Sequence, residues 1–414
     1  IFSTLANIVL VIGPRVIPHI EALVQRATIV LGASHDAPIH SAVSALLANL
    51  AKASPTFLAT HLKDLLLICV DSSVQAKEGS SNVLVNSLLR NFDVKSLLTA
   101  ISDLWDLKSS SDIAPLRVIL DLLRRLLAKT DRPTIAKEYK GVFRLLLKIF
   151  DFRRQASETT PESDISQLED SSNRAFLQMV LKLNENSFRP LFLRFYDWAA
   201  VDLAEEGSPF KQTGIVLRSL TFYRFFNALQ DQLKALVANY YSTVFEFTLE
   251  GLKAFQDGTL VNKSLWSVMQ DSLAKNAEYD EGTFWNTPRA KKAVSALVDG
   301  LDTPQQVDQL AEKTAEALCA ILQNAPEDAL LKSTNRALLG KSRSSRSEVS
   351  IAALISLQQF WSRFGEQLLS LVPETAPFIS ELLDSSDADC VDHTRALVKA
   401  IEDVLGEPLD QYIS

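Results

Sequence analysis

Two amphipathic helices are predicted by residues 114–149, APLRVILDLLRRLLAKTDRPTIAKEYKGVFRLLLKI. In each half, apolar side chains recur every three or four residues, which places them on one face of an α-helix. The two apolar stripes consist of Leu116, Ile119, Leu120, Leu123 and Leu127 in the first half and Val142, Leu145, Leu146 and Ile149 in the second. Between the halves, Asp131 followed by Pro133 is typical of a helix start, because a proline in the first turn lacks only an N–H that the helix leaves unbonded.

The same spacing recurs along the 414-residue chain, whereas the alternating pattern of β-strands is almost absent. We count about twenty predicted helices, joined mostly by short loops. PHIEAL (18–23) and PFISEL (377–382) share a proline followed by apolar residues two and five positions later. Such internal similarity is typical of HEAT repeats, whose helix pairs bury their apolar faces only against neighbouring pairs. The predicted fold is therefore all α, an α-solenoid of HEAT-like antiparallel helix pairs, and the alternative is a packed bundle of irregular helices.

Three regions are predicted along the chain. Residues 1–152 form HEAT-like helical repeats. Residues 153–173, RRQASETTPESDISQLEDSSN, form a flexible insertion that is acidic and rich in Ser and Thr, because this segment is polar and lacks an apolar helical face. Residues 174–414 form a second helical domain, which ends in a HEAT-like repeat at about residues 366–406.

Composition excludes several classes of protein. A chain with 47% hydrophobic residues is not disordered throughout. The three cysteines, Cys69, Cys319 and Cys390, lie far apart, which excludes a disulfide framework or a zinc knuckle and favours a reducing compartment. No apolar run approaches the ~20 residues of a membrane helix, and no signal peptide opens the chain, so no membrane partner is predicted. Because residue 1 is Ile, we expect the chain to be part of a longer one.

No catalytic, cofactor-binding or metal-binding residues are predicted, and we do not expect an enzyme or a small-molecule substrate. GKS at residues 340–342 resembles the end of a phosphate-binding loop, but position 335 is Asn where that motif has Gly, and no strand precedes it. Cys390 and His393 have a spacing compatible with metal binding. A zinc site needs four ligands, however, and no other Cys or His lies near them in sequence.

Positive charge is concentrated in one part of the chain. The whole chain has 42 Lys and Arg against 50 Asp and Glu, but residues 113–154 have 11 basic and 4 acidic residues. Basic residues on each of the two helices lie outside the apolar stripe, and we expect the two sets to merge into a patch that contacts RNA phosphates or an acidic partner. Solvated helix faces without a partner would give the same pattern. The candidate contact residues are Arg117, Arg124, Arg125, Lys140, Arg144 and Lys148.

Aromatic side chains are concentrated in FRPLFLRFYDW (188–198) and FYRFF (222–226). Aromatic residues interleaved with arginines are able to stack nucleic-acid bases. The spacing favours a different role, since four aromatic residues fall on one helical face, namely Phe188, Phe192, Phe195 and Tyr196. We therefore predict that these aromatic residues belong to the core.

Three segments resemble a known family. Near the end of the chain, LVPETAPFI (371–379) and VLGEPL (404–409) are similar to the C-terminus of the large HEAT-repeat family of U-three small nucleolar RNA-associated proteins, the tenth of that series. FRPLFLRFYDWA (188–199) and LTFYRFFNALQDQLKALVANYY (220–241) are similar to the C-terminal domain of the same family. The resemblance covers residues 174–414, while residues 1–152 resemble only HEAT repeats in general.

The resemblance implies a non-catalytic scaffold subunit of the small-subunit processome, located in the nucleus and nucleolus. Its implied roles are pre-rRNA processing, small ribosomal subunit biogenesis and rDNA transcription. Other processome subunits, which include WD-repeat proteins, are the implied partners, and pre-rRNA or small nucleolar RNA is a further candidate. The alternative is a HEAT-type adaptor for nuclear transport, which would also be acidic and helical but would lack the motif at residues 404–409.

Overall fold

The structure is a computed structural model that describes residues 1–33, 36–75, 82–109, 113–303, 305, 309–325 and 327–412. Within these ranges every regular element is a helix, with 21 α-helices and short 3₁₀ segments between some of them. The prediction of an all-α fold is confirmed. The chain divides into two compact units, unit 1 (Ile1–Phe195) and unit 2 (Tyr196–Ser414).

Unit 1 consists of two layers of helices, and its boundary with unit 2 falls inside α12. The helices are α1 (Phe2–Ile12), α2 (Ile20–Ala33), α3 (Ala37–Ala53), α4 (Pro55–Leu58), α5 (Leu62–Gln75), α6 (Asn82–Asn91), α7 (Val94–Lys108), α8 (Ile113–Lys129), α9 (Arg132–Phe150), α10 (Phe152–Ala156), α11 (Glu162–Val180) and α12 (Glu185–Ala200). In the first layer α1 packs on α3, α3 on α6 and α8 on α11. In the second layer α2 packs on α5, α5 on α7 and α7 on α9.

Unit 2 has the same two-layer organisation. Its helices are α13 (Thr213–Leu233), α14 (Tyr241–Gln256), α15 (Lys263–Tyr279), α16 (Thr287–Gly300), α17 (Leu310–Asn324), α18 (Asp328–Ser342), α19 (Ser347–Leu368), α20 (Val372–Leu383) and α21 (Ala388–Leu405). One layer runs through α13, α15, α17, α19 and α21, each packed on the next. The other layer runs through α14, α16 and α18, and α20 packs on α21 where the final HEAT-like repeat is predicted.

Consecutive helices therefore alternate between the two layers of each unit. Short connections reverse the direction of the chain, as between α18 and α19, which are separated by residues 343–346. In unit 2 a helix such as α15 or α17 packs on the next helix but one, whereas in unit 1, where the short helices α4 and α10 intervene, α3 packs on α6 and α8 packs on α11. The prediction of an α-solenoid of HEAT-like antiparallel helix pairs is confirmed within each unit.

Side-chain caps fix several helix starts. Asp131 Oδ1 accepts a hydrogen bond of 3.0 Å from the Thr134 amide, and a proline stands in the first turn of α9, as the sequence predicts. Asp93 caps α7 in the same way, through a 2.9 Å hydrogen bond from the Ser96 amide. These caps satisfy backbone N–H groups that the first helical turn leaves without partners.

The aromatic segments form core in both units, which confirms the prediction. In unit 1, Phe143, Phe150, Phe176 and Phe195 contact one another with ring centroids 5.1–6.4 Å apart. In unit 2, residues 222–226 are buried except at position 224, and Phe226 stacks on Phe222 at 5.9 Å. Side chains packed in this way do not present their faces to nucleic-acid bases.

The prediction of a flexible insertion at residues 153–173 is wrong, because most of this segment is helical. Residues 153–156 belong to α10, and α11 begins at Glu162 and packs on α8. An apolar stripe is present in α11, but buried polar residues interrupt it and conceal it in the sequence. The side chain of Arg153 is only 2% exposed and forms ion pairs with two acidic residues of this segment, Glu162 and Glu169.

The N-terminal helices are more apolar than expected from the prediction that no apolar run approaches the length of a membrane helix. By length and composition alone, Phe2–Ala33 would suffice to cross a membrane, and about a fifth of its apolar window is buried. Buried core helices of water-soluble proteins and signal sequences near an N-terminus meet the same criterion. Here the stretch is interrupted by a 3₁₀ segment at Gly13–His19, and both flanking helices pack on α3. Asn49 of α3 also donates a 2.9 Å hydrogen bond to the Ala6 carbonyl of α1.

Candidate nucleic-acid interface

The basic side chains of α8 lie on the helix face opposite its buried stripe. Leu116, Ile119 and Leu123 are completely buried, whereas Arg117 and Arg124 keep nearly half of their side-chain surface exposed. This division follows from the helical spacing, because residues that differ by three, four or seven positions share one face. The exposed face of α8 lies between α6 and α11 in the first layer of unit 1.

Three arginines line an open groove of about 380 Å³ between α8 and α11. Arg117 and Arg124 belong to α8, and Arg174 belongs to α11. Arg117 forms a 2.6 Å ion pair with Asp164, and Arg124 forms a 2.6 Å ion pair with Asp121. The three guanidinium groups outnumber these two carboxylates, so the groove keeps a positive charge that is accessible to an anion.

A second basic cluster surrounds Asn86 of α6. The Asn86 Oδ1 atom accepts hydrogen bonds from Arg125 Nη2 at 3.0 Å and from Lys129 Nζ at 2.9 Å. Burial, together with the positive charges of Arg125 and Arg90, lowers the pKa of Lys129. Arg125 Nη1 also lies 3.7 Å from Asp121 Oδ2. A bound anion would relieve the repulsion between these cations.

The basic side chains of α9 face a different part of unit 1. Lys148 Nζ lies 2.7 Å from Asp106 Oδ2 and 3.1 Å from Ser102 Oγ, both on α7. Arg144 Nε donates a long hydrogen bond, 3.4 Å, to the Lys140 carbonyl on its own helix. The stripe of α9 is therefore on the second layer, where an acidic residue partly neutralises it.

The expectation that the two stripes merge is wrong. Consecutive helices alternate between layers, so α8 displays its polar face with α6 and α11, and α9 displays its polar face with α7. Polar faces point away from the apolar interior between the layers, which places the two stripes on opposite faces of unit 1. The structure brings Arg117, Arg124 and Arg125 together and separates them from the α9 residues Lys140, Arg144 and Lys148.

Several residues of the basic face of α8 are absent from the sequence prediction. Lys129 lies one helical turn after Arg125, so helical spacing alone places both residues on the same face of α8. Arg174 cannot be assigned to a helix face from the sequence, because most of α11 is predicted to be a flexible insertion. Asn86 and Arg90 come from α6, about forty residues earlier, and only the packing of α6 beside α8 brings them into the cluster.

The other sequence candidates lie inside helices. Residues 340–342 are the end of α18, and Lys341 forms an ion pair with Asp302. This segment is not a phosphate-binding loop, since a helix interior does not direct backbone N–H groups at a ligand. Cys390 is buried near the start of α21, with its Sγ 3.4 Å from Ser350 Oγ.

A protein-family model matches the central part of the chain. Residues 134–285 match the family model described as the BP28CT (NUC211) domain. The matched segment begins in α9, includes α10 to α15 and ends just before α16. It therefore contains most of α9 but not α8, and it contains both aromatic segments, 188–198 and 222–226.

Similar proteins extend the resemblance to almost the entire chain. The chain is 29% identical to U3 small nucleolar RNA-associated protein 10 of Mycosarcoma maydis, over 100% of this chain and 22% of that protein. It is 30% identical to the protein of the same name in Candida albicans, over 97% of this chain and 22% of that protein. The chain thus spans about a fifth of the length of these relatives. The predicted resemblance to this family is confirmed, and it includes residues 1–152, where only general HEAT-repeat similarity is expected from the sequence.

Solved structures give a much looser similarity. The chain in the structure titled "Kap95:Nup1 complex" is 11% identical, with a TM-score of 0.47 over 99% of this chain and 50% of that chain. So distant a likeness carries no functional information. The alternative interpretation as an adaptor for nuclear transport is not favoured, because the relatives at 29–30% identity bear the U3 name.

Proposed function

We propose that this chain, similar over almost its whole length to U3 small nucleolar RNA-associated protein 10, is part of a non-catalytic scaffold in the small-subunit processome. The proposed location is the nucleolus. The proposed roles are pre-rRNA processing, small ribosomal subunit biogenesis and rDNA transcription, with other processome subunits, including WD-repeat proteins, as partners. The sequence similarity across the chain carries this proposal, and the stacked helix pairs of each unit supply the extended surface that a scaffold needs.

Within this function, the basic face of α8 is the surface that contacts RNA. We call it the α8 basic surface and define it by Arg90, Arg117, Arg124, Arg125, Lys129 and Arg174. Its cations come from three neighbouring helices, α6, α8 and α11, which spreads them along one layer of unit 1. Such a spread suits a polyanion, whose phosphates repeat along the backbone, better than a single small anion.

Electrostatics favours this surface over the basic stripe of α9. The α8 basic surface has six cations and the two nearby carboxylates of Asp121 and Asp164. In the α9 stripe, one of three cations already pairs with Asp106. An RNA phosphate would have to compete with carboxylates on both surfaces, but the excess of cations over nearby carboxylates is larger on the α8 basic surface, six against two, than on α9, three against one. Contacts of this kind would be independent of base sequence.

The proposed function is tested in cells with the protein that contains this chain. The protein is tagged and purified from nuclear extract, and the U3 small nucleolar RNA that co-purifies is measured. A matched protein lacking the segment that corresponds to this chain is the control. We expect the tagged protein to recover U3 RNA and other processome subunits, and the truncated protein to recover less of them and to lower small-subunit production.

Two outcomes would contradict the proposal. Recovery of transport receptors and their cargo without U3 RNA would favour the adaptor for nuclear transport. Equal recovery of U3 RNA by the full-length and truncated proteins would show that this chain does not contribute to the assembly.

A further inference from the structure

A groove of about 780 Å³ crosses three helices of unit 2. It lies on the exposed faces of α15, α17 and α19, which are successive members of one layer. Carboxylates and carboxamides provide most of its polar lining. These residues are Glu278, Glu312, Glu316, Gln323, Gln358 and Gln359, and Ser362 and Arg363 also line the groove.

The groove continues across a fourth helix. A second groove of about 400 Å³ lies between α19 and α21, and it shares Gln358 and Ser362 with the first. Packed helices lie about 8–10 Å apart, so four of them span roughly 30 Å. An extended peptide advances about 3.3 Å per residue, which means that roughly nine residues would fill this length.

The layer of unit 2 that contains the groove is closely packed. Each of α15, α17 and α19 packs on the next helix of the layer, and at Gly365 of α19 a Cβ atom would collide with Val404 of α21. A segment lying across this layer would therefore contact several helices at once.

The lining supplies two kinds of interaction. Glu278, Glu312 and Glu316 are exposed at the end formed by α15 and α17, where they favour positive charge. The glutamine side chains each offer both donors and acceptors, which matches the alternating N–H and C=O groups of an extended main chain. Arg363 donates a 3.0 Å hydrogen bond to Gln323 Oε1, which orients that carboxamide and leaves its NH₂ group for a ligand.

The net charge of unit 2 as a whole also favours a positively charged partner. Residues 196–414 have 19 basic and 31 acidic side chains, whereas residues 1–195 have 23 and 19. A polyanion such as RNA would be repelled by unit 2, and a cationic segment would be attracted to it. The two units thus differ in the class of ligand that their charge favours.

We infer that this groove binds an extended segment of a partner protein that is rich in lysine and arginine. The carboxamides of α17 and α19 hold the main chain of the segment. Its cationic side chains lie at the α15–α17 end, beside the three glutamates. This site is separate from the α8 basic surface and does not depend on RNA binding there.

A fluorescein-labelled nine-residue peptide of alternating lysine and serine provides the probe, and a peptide of alternating glutamate and serine provides its counterpart. Fluorescence anisotropy measures binding of each to the chain. We compare E312Q/E316Q, which removes two charges from the groove, with E246Q/E250Q, which removes two exposed charges from α14 in the other layer. We expect E312Q/E316Q to weaken binding of the lysine peptide about three- to tenfold and E246Q/E250Q to change it less than twofold.

A second variant tests recognition of the main chain. Q358A/Q359A keeps the charge of the groove, so it should weaken binding of the lysine peptide while leaving the salt dependence unchanged. Equal affinities of the two glutamate variants would overturn the inference, because attraction would then be a property of the net charge alone. Failure of the chain to bind the lysine peptide, tighter binding of the glutamate peptide, or an unaltered affinity of Q358A/Q359A would also overturn it.

Discussion

Arg153 and Glu169 form a buried ion pair that joins α10 to α11, with Arg153 Nε 2.6 Å from Glu169 Oε1. A second contact, 2.8 Å from Nη2 to Oε2, makes the pair bidentate. Both side chains are almost completely inaccessible to solvent, and Glu162 neutralises the remaining edge of the guanidinium group. Burial of two charges is tolerated here because each hydrogen-bonding group has a partner.

Removal of one member of this pair should destabilise unit 1 strongly. In Arg153→Met the two glutamates lose their buried cation, and we expect the free energy of unfolding to fall by about 3–5 kcal/mol. Urea denaturation followed by circular dichroism measures the change. Arg154→Met is the matched control, because Arg154 is more exposed and pairs with Asp151 within one helical turn. If the two variants lose the same small amount of stability, the Arg153 pair does not hold α11 in place.

The segment around this pair shows where sequence interpretation fails. In α11 the buried face contains Ile165, Leu168 and Phe176, but Glu169 and Asn173 are buried beside them. A helical stripe diluted by polar residues resembles a loop in the sequence, since nothing local shows that Glu169 will meet an arginine from α10. The stripes of α8 and α9 contain only apolar residues on their buried faces, which is why the sequence predicts both helices correctly.

Asp280 organises the connection between α15 and α16. Its carboxylate accepts hydrogen bonds from the Thr283 hydroxyl at 2.6 Å and from the amides of Thr283, Phe284 and Trp285 at 2.8–3.2 Å. Burial by itself would raise the pKa of Asp280, but these hydrogen bonds outweigh burial and hold the pKa below its ordinary value. The carboxylate therefore favours the folded state.

Asp280→Asn should lower the free energy of unfolding by about 2 kcal/mol at pH 7, because an amide NH₂ cannot accept the bonds that the carboxylate receives. The unfolded chain binds the Asp280 proton more readily, with a pKa of about 3.9. The stabilisation is therefore present above that pH and is lost as the pH falls through the lower pKa of the folded state. Denaturation at a series of pH values checks this.

The exposed Asp257 serves as the control for Asp280, because its carboxylate accepts a 2.9 Å hydrogen bond from the Thr259 amide at the surface. We expect Asp257→Asn to change the free energy of unfolding by less than about 0.5 kcal/mol. A difference between Asp280→Asn and the parent that is as large at acid pH as at pH 7 would refute the role given to the charge.

Gly365 allows α19 and α21 to approach closely, since a Cβ atom there would collide with the branched side chain of Val404. Gly365→Ala should lower the free energy of unfolding by about 1–3 kcal/mol. At Gly251 a Cβ atom would meet the flexible side chain of Met269, with its nearest atom 2.6 Å away, so Gly251→Ala should cost less. Adding Val404→Ala should restore part of the stability lost in Gly365→Ala. Urea denaturation measures the stability of Gly365→Ala, of Gly251→Ala and of Gly365→Ala combined with Val404→Ala. If the added Val404→Ala change restores no stability, Val404 is not the side chain that a Cβ atom at position 365 meets.

The candidate interface could be predicted from the sequence only in part. Helical spacing places Arg124 outside the apolar stripe of α8, and Lys148 outside that of α9. Whether the two stripes share a surface depends on the layer that each helix occupies. That is decided by contacts with α6 and α7, which lie many residues earlier in the chain. Local patterns carry no information about such contacts, and for this reason the expected merger of the stripes is wrong.

The most direct test of RNA contact by the α8 basic surface is a comparison of two triple variants with equal charge change. Binding of a labelled single-stranded RNA is measured by fluorescence anisotropy over a series of salt concentrations for the parent chain, for R124E/R125E/K129E and for K140E/R144E/K148E. We predict that the parent binds with a negative log–log salt slope of about 0.7 per phosphate contact. The α8 variant should lose binding, and the α9 variant should retain an affinity close to that of the parent. Absence of RNA binding by the parent chain, or an equal loss in both variants, would contradict the account.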